Sequence, residues 1–117
     1  MIMDSKELAM KIARMLNDKK AIDVLIIDIS HKASFADYFV MASGGSERQM
    51  SSLADNVEEL LEPEGIFPKN VEGKRTSGNW ILMDYRDVIV NIMTVDMRSK
   101  YNLEKVWGDC ETIEIND

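Results

Sequence analysis

The sequence is poor in the residues that build metal sites and disulfides. Among its 117 residues there is one cysteine, Cys110, and one histidine, His31. A single cysteine cannot form an internal disulfide, and a zinc site needs several His or Cys ligands at suitable spacing. We therefore predict no metal and no cofactor, and we interpret Cys110 as a bystander rather than a nucleophile.

Long apolar stretches are missing as well. Apolar runs such as VLII and VIV are interrupted by Asp or Asn, and they fall far short of the roughly 20 residues that cross a bilayer. The start of the chain, MIMDSKELAM, contains acidic residues and lacks the basic flank and apolar centre of a signal peptide. We expect a mature cytoplasmic protein with no membrane partner.

Basic residues are outnumbered by acidic ones. The chain has 14 Lys and Arg against 21 Asp and Glu, a formal net charge of −7. Proteins that bind nucleic acid through its phosphates carry charge of the opposite sign, so we expect no direct nucleic-acid binding. The acidity either serves solubility alone or favours encounter with a basic protein surface, and charge by itself leaves both interpretations open.

What the sequence does contain is the composition of one globular domain, with 45% hydrophobic and 30% charged residues. Apolar periodicity predicts helices over about 5–18, from Glu47 to just before Pro63, and over about 96–107. The segments between them predict five strands, giving the order α-β-β-α-β-β-β-α. This order predicts an α/β fold with a single mixed sheet packed by helices. We assign 1–109 to the domain and 110–117 to an acidic tail, which forms either a frayed end or an edge strand.

The runs WILMDY and DVIVNIM predict a β-hairpin with its turn at Tyr85 and Arg86. One interpretation of the apolar DVIVNIM is an edge strand that pairs with a second copy, which would make the protein a homodimeric interaction module.

The glycine-containing stretch SGGSER lies between a predicted strand and a predicted helix. It lacks the Lys of a P-loop and the three glycines of a dinucleotide fingerprint. Ser46 and Gln49, three residues apart, predict a capping box that begins the helix. A weaker alternative is a nucleotidyltransferase-like enzyme using Ser46 and Asp84. That chemistry needs two carboxylates at i and i+2 on one strand, whereas Asp84 and Asp87 are three apart across a turn.

Several blocks of the chain, taken together and in this order, resemble the ribosomal silencing factor (RsfS or Iojap) family. They are ADYF, SGGSERQ, VEG, WILMDY and YNLEKVW, spread between about Lys6 and Asp109. The resemblance implies a nucleotidyltransferase-like fold without enzymatic activity. It further implies that the protein binds a large-subunit ribosomal protein, L-fourteen, at the subunit interface, blocks joining of the small subunit and so represses translation.

The same resemblance places the partner-binding surface on the WILMDY strand and the YNLEKVW helix. The residues it implies are Trp80, Leu82, Asp84, Tyr85, Arg98 and Tyr101. Large aromatic side chains with a polar group are typical interface anchors, but on residue type alone Trp80 and Tyr101 could also be core residues.

The chain departs from the family pattern at three positions near this surface. The family's hairpin turn is usually DYGD, whereas Arg86 replaces the glycine here. Asn91 stands where histidine is common, and Met93 where phenylalanine is common. Because glycine adopts positive φ at little cost, Arg86 predicts either a different turn or local strain.

Overall fold

A computed structural model of the protein describes residues 3–73, 79–101, 105, 107–113 and 115, with Tyr101 described by its backbone alone. This part of the chain contains three α-helices, six strands and a short 3-10 turn. The helices are α1 (Ser5–Asp18), α2 (Glu47–Leu61) and α3 (Val95–Tyr101), and the 3-10 turn is Glu62–Glu64. The strands are β1 (Ile22–Asp28), β2 (Tyr38–Gly44), β3 (Asn70–Glu72), β4 (Trp80–Asp84), β5 (Val88–Thr94) and β6 (Thr112–Ile113).

The strands form one sheet in the order β3-β4-β5-β2-β1-β6. The central β2 and β5 are parallel, and the other neighbouring pairs are antiparallel. The predicted class, a mixed sheet packed by helices, is confirmed. The tail supplies β6, which pairs with β1 at the edge of the sheet, while the domain boundary at residue 109 stays a prediction.

Helix α1 begins and ends through local hydrogen bonds. At its start the Asp4 carboxylate accepts a hydrogen bond from the Glu7 backbone N–H at 2.8 Å, which satisfies one of the free N–H groups of the first turn. At its end the Ala21 N–H reaches back to the Leu16 carbonyl at 3.0 Å, across Lys20 with φ of 70°. The predicted range of this helix is confirmed.

One face of the sheet lies under α1 and α2, and we call it the covered face. Its strand residues alternate with those of the other face, as the twofold repeat of a strand requires. The helices contribute Leu8, Ile12, Leu16, Met50, Leu53, Val57 and Leu61, and the strands contribute Val40, Ala42, Ile81, Met83, Val88, Val90 and Ile92. All of these side chains are buried, so the main core of the domain is here.

The opposite face has a smaller core. Ile27, Ile29, Ala36, Phe39, Met41 and Met93 are buried there, and Met97 of α3 and Trp107 pack against them. The helix α3 contacts β5 and β2. The side chains toward β3 and β4 stay partly or fully exposed.

Strand β5 is internal to the sheet. It pairs with β4 along one side and with β2 along the other, so both rows of its backbone hydrogen-bonding groups are used. The interpretation of DVIVNIM as an edge strand is therefore wrong. Among the strands that the structure describes, the three-residue β3 and the two-residue β6 form the edges of the sheet.

Candidate functional site

Three of the six predicted binding residues lie side by side on β4. Trp80, Leu82 and Asp84 alternate with buried Ile81 and Met83, and so they share the face opposite α1 and α2. The neighbouring β3 adds Glu72 opposite Leu82 and Asn70 opposite Asp84. We call these five residues the open patch.

The open patch has an apolar centre and acidic surroundings. A hollow of about 340 Å³ is lined by Glu72, Trp80 and Leu82. Trp80, Leu82 and Asp84 are partly buried, whereas Asn70 and Glu72 are exposed. Such an arrangement can hold an apolar side chain of a partner and can attract a basic one, because the carboxylates of Glu72 and Asp84 flank the aromatic centre.

The Trp80 side chain makes a hydrogen bond to a residue of the neighbouring strand β5. Its indole Nε1–H donates to Asn91 Oδ1 at 2.9 Å. Asn91 lies on β5, where its Cα pairs with Leu82, and it is 2% exposed. The sequence does not predict this contact, although Asn91 is one of the three departures from the family pattern.

Asp84 also shapes the hairpin turn. Its Oδ1 accepts a hydrogen bond from the Arg86 backbone N–H at 2.7 Å. Arg86 has φ of 75°, in the left-handed region that favours glycine. The turn closes with the Tyr85 N–H donating to the Val88 carbonyl at 2.9 Å. The predicted hairpin is thus confirmed. Its turn has the positive φ that glycine usually adopts, although the residue at this position is Arg86.

Tyr85 is not a surface residue. It is 5% exposed and belongs to the core of the covered face, because it has the same strand parity as Ile81 and Met83. Burial raises the pKa of its hydroxyl far above the ordinary range, with the Glu58 and Glu62 carboxylates as smaller causes. Within the described part of the chain the hydroxyl has no hydrogen-bond partner. Tyr85, which the resemblance places on the partner-binding surface, therefore lies on the other side of the sheet from Trp80, and its part in binding stays a prediction.

Arg98 is also internal. It is 9% exposed, and its guanidinium Nη1 donates to Ser43 Oγ at 3.2 Å and to the Ile22 carbonyl at 3.4 Å. These bonds connect α3 to the ends of β2 and β1. Arg98 is therefore mostly buried in the free protein, and its predicted part in partner binding stays a prediction.

The side chain of Tyr101 lies outside the described residues, and so do residues 102–104 of the YNLEKVW segment. Trp107 is described. It packs edge-on against Phe39, with ring centroids 5.4 Å apart. Of the six predicted residues, the structure therefore brings three together on one surface.

An exposed aromatic on the same side of the sheet was missed. Phe35 is 58% exposed, and its ring lies 6.3 Å from that of Phe39. Its segment, HKASFAD, was interpreted only as a loop. The sequence offered a signal, since a phenylalanine in a polar loop lacks the periodic apolar neighbours of a core residue.

Two backbone N–H groups of the SGGSER turn and the start of α2 donate hydrogen bonds to side chains of the same segment. Ser46 Oγ accepts from the Gln49 backbone N–H at 3.1 Å, as the capping box predicted. The Gln49 amide oxygen accepts from the Gly45 N–H at 2.6 Å, instead of from the Ser46 N–H. Gly44 is required for packing, because an added Cβ would lie 2.7 Å from Met50 Cγ. The glycines thus serve a close strand-to-helix turn.

No cluster of three or more His, Cys, Asp or Glu side chains suited to a metal ion occurs among the residues that the structure describes. Over the same residues, no helix is long and apolar enough to cross a membrane.

Comparison with known proteins identifies the family. Residues 2–117 match the family described as "Ribosomal silencing factor during starvation". The chain is 34% identical over 113 residues to ribosomal silencing factor RsfS of Halalkalibacterium halodurans, covering 97% of this chain and 96% of that protein. The chain belongs to the ribosomal silencing factor family.

More distant members and solved structures agree with this assignment. A crystal structure of a Chromobacterium violaceum protein superimposes with a TM-score of 0.86 at 33% identity, covering 91% of this chain and 88% of that one. The mouse protein named "Mitochondrial assembly of ribosomal large subunit protein 1" is 26% identical over 96 residues, which cover 42% of its length. The resemblance drawn from the sequence blocks is thus confirmed, and the open patch is a surface of a ribosomal silencing factor family member.

Proposed function

We propose that this chain binds the large ribosomal subunit through its open patch and blocks joining of the small subunit, so that translation is repressed. The observation that carries the proposal is the row of Trp80, Leu82 and Asp84 on a face that α1 and α2 leave uncovered. Family membership and the printed name of the mouse relative, which refers to the large subunit, support the choice of target.

The proposed partner is a basic ribosomal protein, L-fourteen, at the subunit interface. A chain with a net charge of −7 is electrostatically matched to such a surface. Trp80 and Leu82 would contribute the apolar contact, with Glu72 and Asp84 pairing with basic side chains at its margin. The inhibition is steric and needs no chemical step, and the protein acts where cytoplasmic ribosomes are.

Co-sedimentation with purified ribosomal subunits tests this proposal. The protein should pellet with large subunits and stay in the supernatant with small ones, and prior binding should reduce formation of joined ribosomes when small subunits are added. Pelleting with small subunits alone, or with neither, would refute it.

The alternative, a nucleotidyltransferase-like enzyme, lacks support at the turn it would use. The Gly45 and Gln49 N–H groups are taken by the chain's own Gln49 and Ser46 side chains. Thermal-shift titration with a nucleoside triphosphate and Mg²⁺ separates the two functions, because a true ligand stabilises the folded state by mass action. A homodimer off the ribosome is compatible with the proposal, and light scattering measures it.

A further inference from the structure

The centre of the open patch rests on an unusual polar residue. Asn91 lies on an internal strand, 2% exposed, with Met93 and Ile89 on the same face of β5 and Met41 opposite it on β2. Its Oδ1 accepts the hydrogen bond from the Trp80 indole. Among the residues that the structure describes, its Nδ2 has no hydrogen-bond partner.

The orientation of the Asn91 amide follows from chemistry. An indole N–H can only donate, so only the oxygen of the amide can face it. A flipped amide would set two donors against each other at 2.9 Å. The hydrogen bond to Trp80 therefore determines which way the amide points, and it leaves the Nδ2 hydrogens without an acceptor among the described residues.

For the stability of the fold alone, an asparagine at position 91 is unfavourable. Its neighbours on the face are apolar, and a buried donor without a partner opposes folding, whereas an apolar side chain of similar size would not. What the asparagine does provide is a fixed acceptor for a tryptophan that is partly exposed on the face opposite α1 and α2. The indole is thereby restricted to one orientation before any partner arrives.

We propose that Asn91 is a positioning residue for the docking surface: it holds the Trp80 indole in the orientation that receives the ribosomal partner. This inference rests on the proposed function for its binding consequence, whereas the hold on the indole is a property of the isolated protein. Preorganisation of an anchor side chain improves affinity because less conformational freedom is lost on binding.

The isolated protein gives the first test, by NMR of its two indole N–H groups. Trp80→Phe assigns the Trp80 resonance by removing it. In Asn91→Leu this resonance should shift, and its exchange with water should accelerate by a factor of about 2 to 10, the equivalent of one net hydrogen bond. Met93→Leu is the matched control, since Met93 lies on the same face and pairs with Trp80 but has no amide. It should leave the indole protected.

If Leu does not pack at position 91, Asn91→Ala removes the same acceptor without adding bulk, and Asn91→Asp keeps an acceptor oxygen and should preserve the protection. An indole resonance and exchange rate unchanged in both Asn91→Leu and Asn91→Ala, with the protein folded, would overturn the proposal.

The binding consequence is tested by a double-mutant cycle on affinity for large subunits. Asn91→Leu should weaken binding about 2- to 10-fold in the wild-type background and by less than about 2-fold in Trp80→Phe, which has no indole to hold. An equal loss in both backgrounds would show that Asn91 does not act through Trp80. If the wild-type protein fails to bind large subunits, the proposed function fails, and the NMR result still decides whether Asn91 holds the indole.

Discussion

The two faces of the sheet are built for different purposes. The covered face carries a continuous apolar set under α1 and α2, and its strand residues Val40, Ile81, Val90 and Ile92 are completely buried. The opposite face keeps Trp80 and Leu82 partly exposed beside carboxylates. On β4, buried residues of the covered face alternate with partly exposed residues of the opposite face. This one strand therefore contributes both to the core and to the surface.

Exposure along β4 and at the residue that follows it depends on strand parity and not on residue type. Tyr85 and Trp80 are both aromatic residues with a polar group, yet the first is a core residue and the second is a surface residue. Substitutions on the two faces should therefore separate stability from binding, and the following predictions test that separation.

The largest expected effect is on stability from the covered face. Leu53 of α2 is 1% exposed, and Leu53→Ala should lower the free energy of unfolding by about 3 kcal/mol because it leaves a cavity in the main core. The matched variant on the open patch, Leu82→Ala, should cost about 1 kcal/mol or less. Chemical denaturation of both proteins measures the difference. Equal losses would show that the two faces do not differ in packing.

The next effect is on affinity from the open patch. Trp80→Ala should weaken binding to large subunits by about 2 kcal/mol, as removal of a central aromatic anchor does. Binding is measured by co-sedimentation at several subunit concentrations, with circular dichroism as a check of the fold. Met93→Leu, on the same face beneath the patch, should bind like the wild type. Undiminished binding by a folded Trp80→Ala would exclude Trp80 as an anchor.

The hairpin turn should tolerate, and gain from, a return to glycine. Arg86 has positive φ, which costs a residue with a Cβ about 1 kcal/mol, so Arg86→Gly should raise the free energy of unfolding by up to about that amount. The hydrogen bond from the residue 86 N–H to Asp84 is kept in this variant. Thermal unfolding measures the gain, and a clear loss would mean that the Arg86 side chain itself stabilises the turn.

The smallest effect is expected for Tyr85→Phe at neutral pH, because the lost hydroxyl has no partner among the described residues. The change should lie within about 1 kcal/mol. Above pH about 10 the two proteins should diverge. The pKa of Tyr85 is raised in the folded protein, so its hydroxyl ionises first in the unfolded chain. The free energy of unfolding of the wild type therefore falls by up to about 1.4 kcal/mol per pH unit, a loss that Tyr85→Phe does not have.

The control for this divergence is internal. Tyr38 also has a raised pKa, through partial burial and nearby carboxylates, and it destabilises both proteins equally at high pH. Parallel stability curves for the two proteins above pH about 10 would contradict the buried position of Tyr85.

Local features of the fold could be predicted from the sequence because local chemistry determines them. The Ser46 cap, the range of α1 and the hairpin each depend on residues a few positions apart. The pairing of β6 with β1 could not be predicted from the sequence, because it joins residues more than eighty positions apart and depends on where the sheet ends. Membership in the family was accessible because several blocks occur in order.

The site was predictable only in part. Strand alternation puts Tyr85 on the same side as Ile81 and Met83, but WILMDY is apolar at both parities, so the sequence does not show which side is the core. The burial of Arg98 depends on α3 lying over Ser43, a tertiary contact that no local pattern shows. The hold of Asn91 on Trp80 likewise depends on the register of β4 against β5.

Site-specific photo-crosslinking tests the role of the open patch most directly. A photoreactive residue is placed at Leu82 or at Arg14, which is exposed on α1, and each protein is irradiated with purified large subunits. Docking through the open patch predicts a crosslink from position 82 to one large-subunit protein, L-fourteen, and none from position 14. Crosslinks from position 14 with none from position 82 would contradict it.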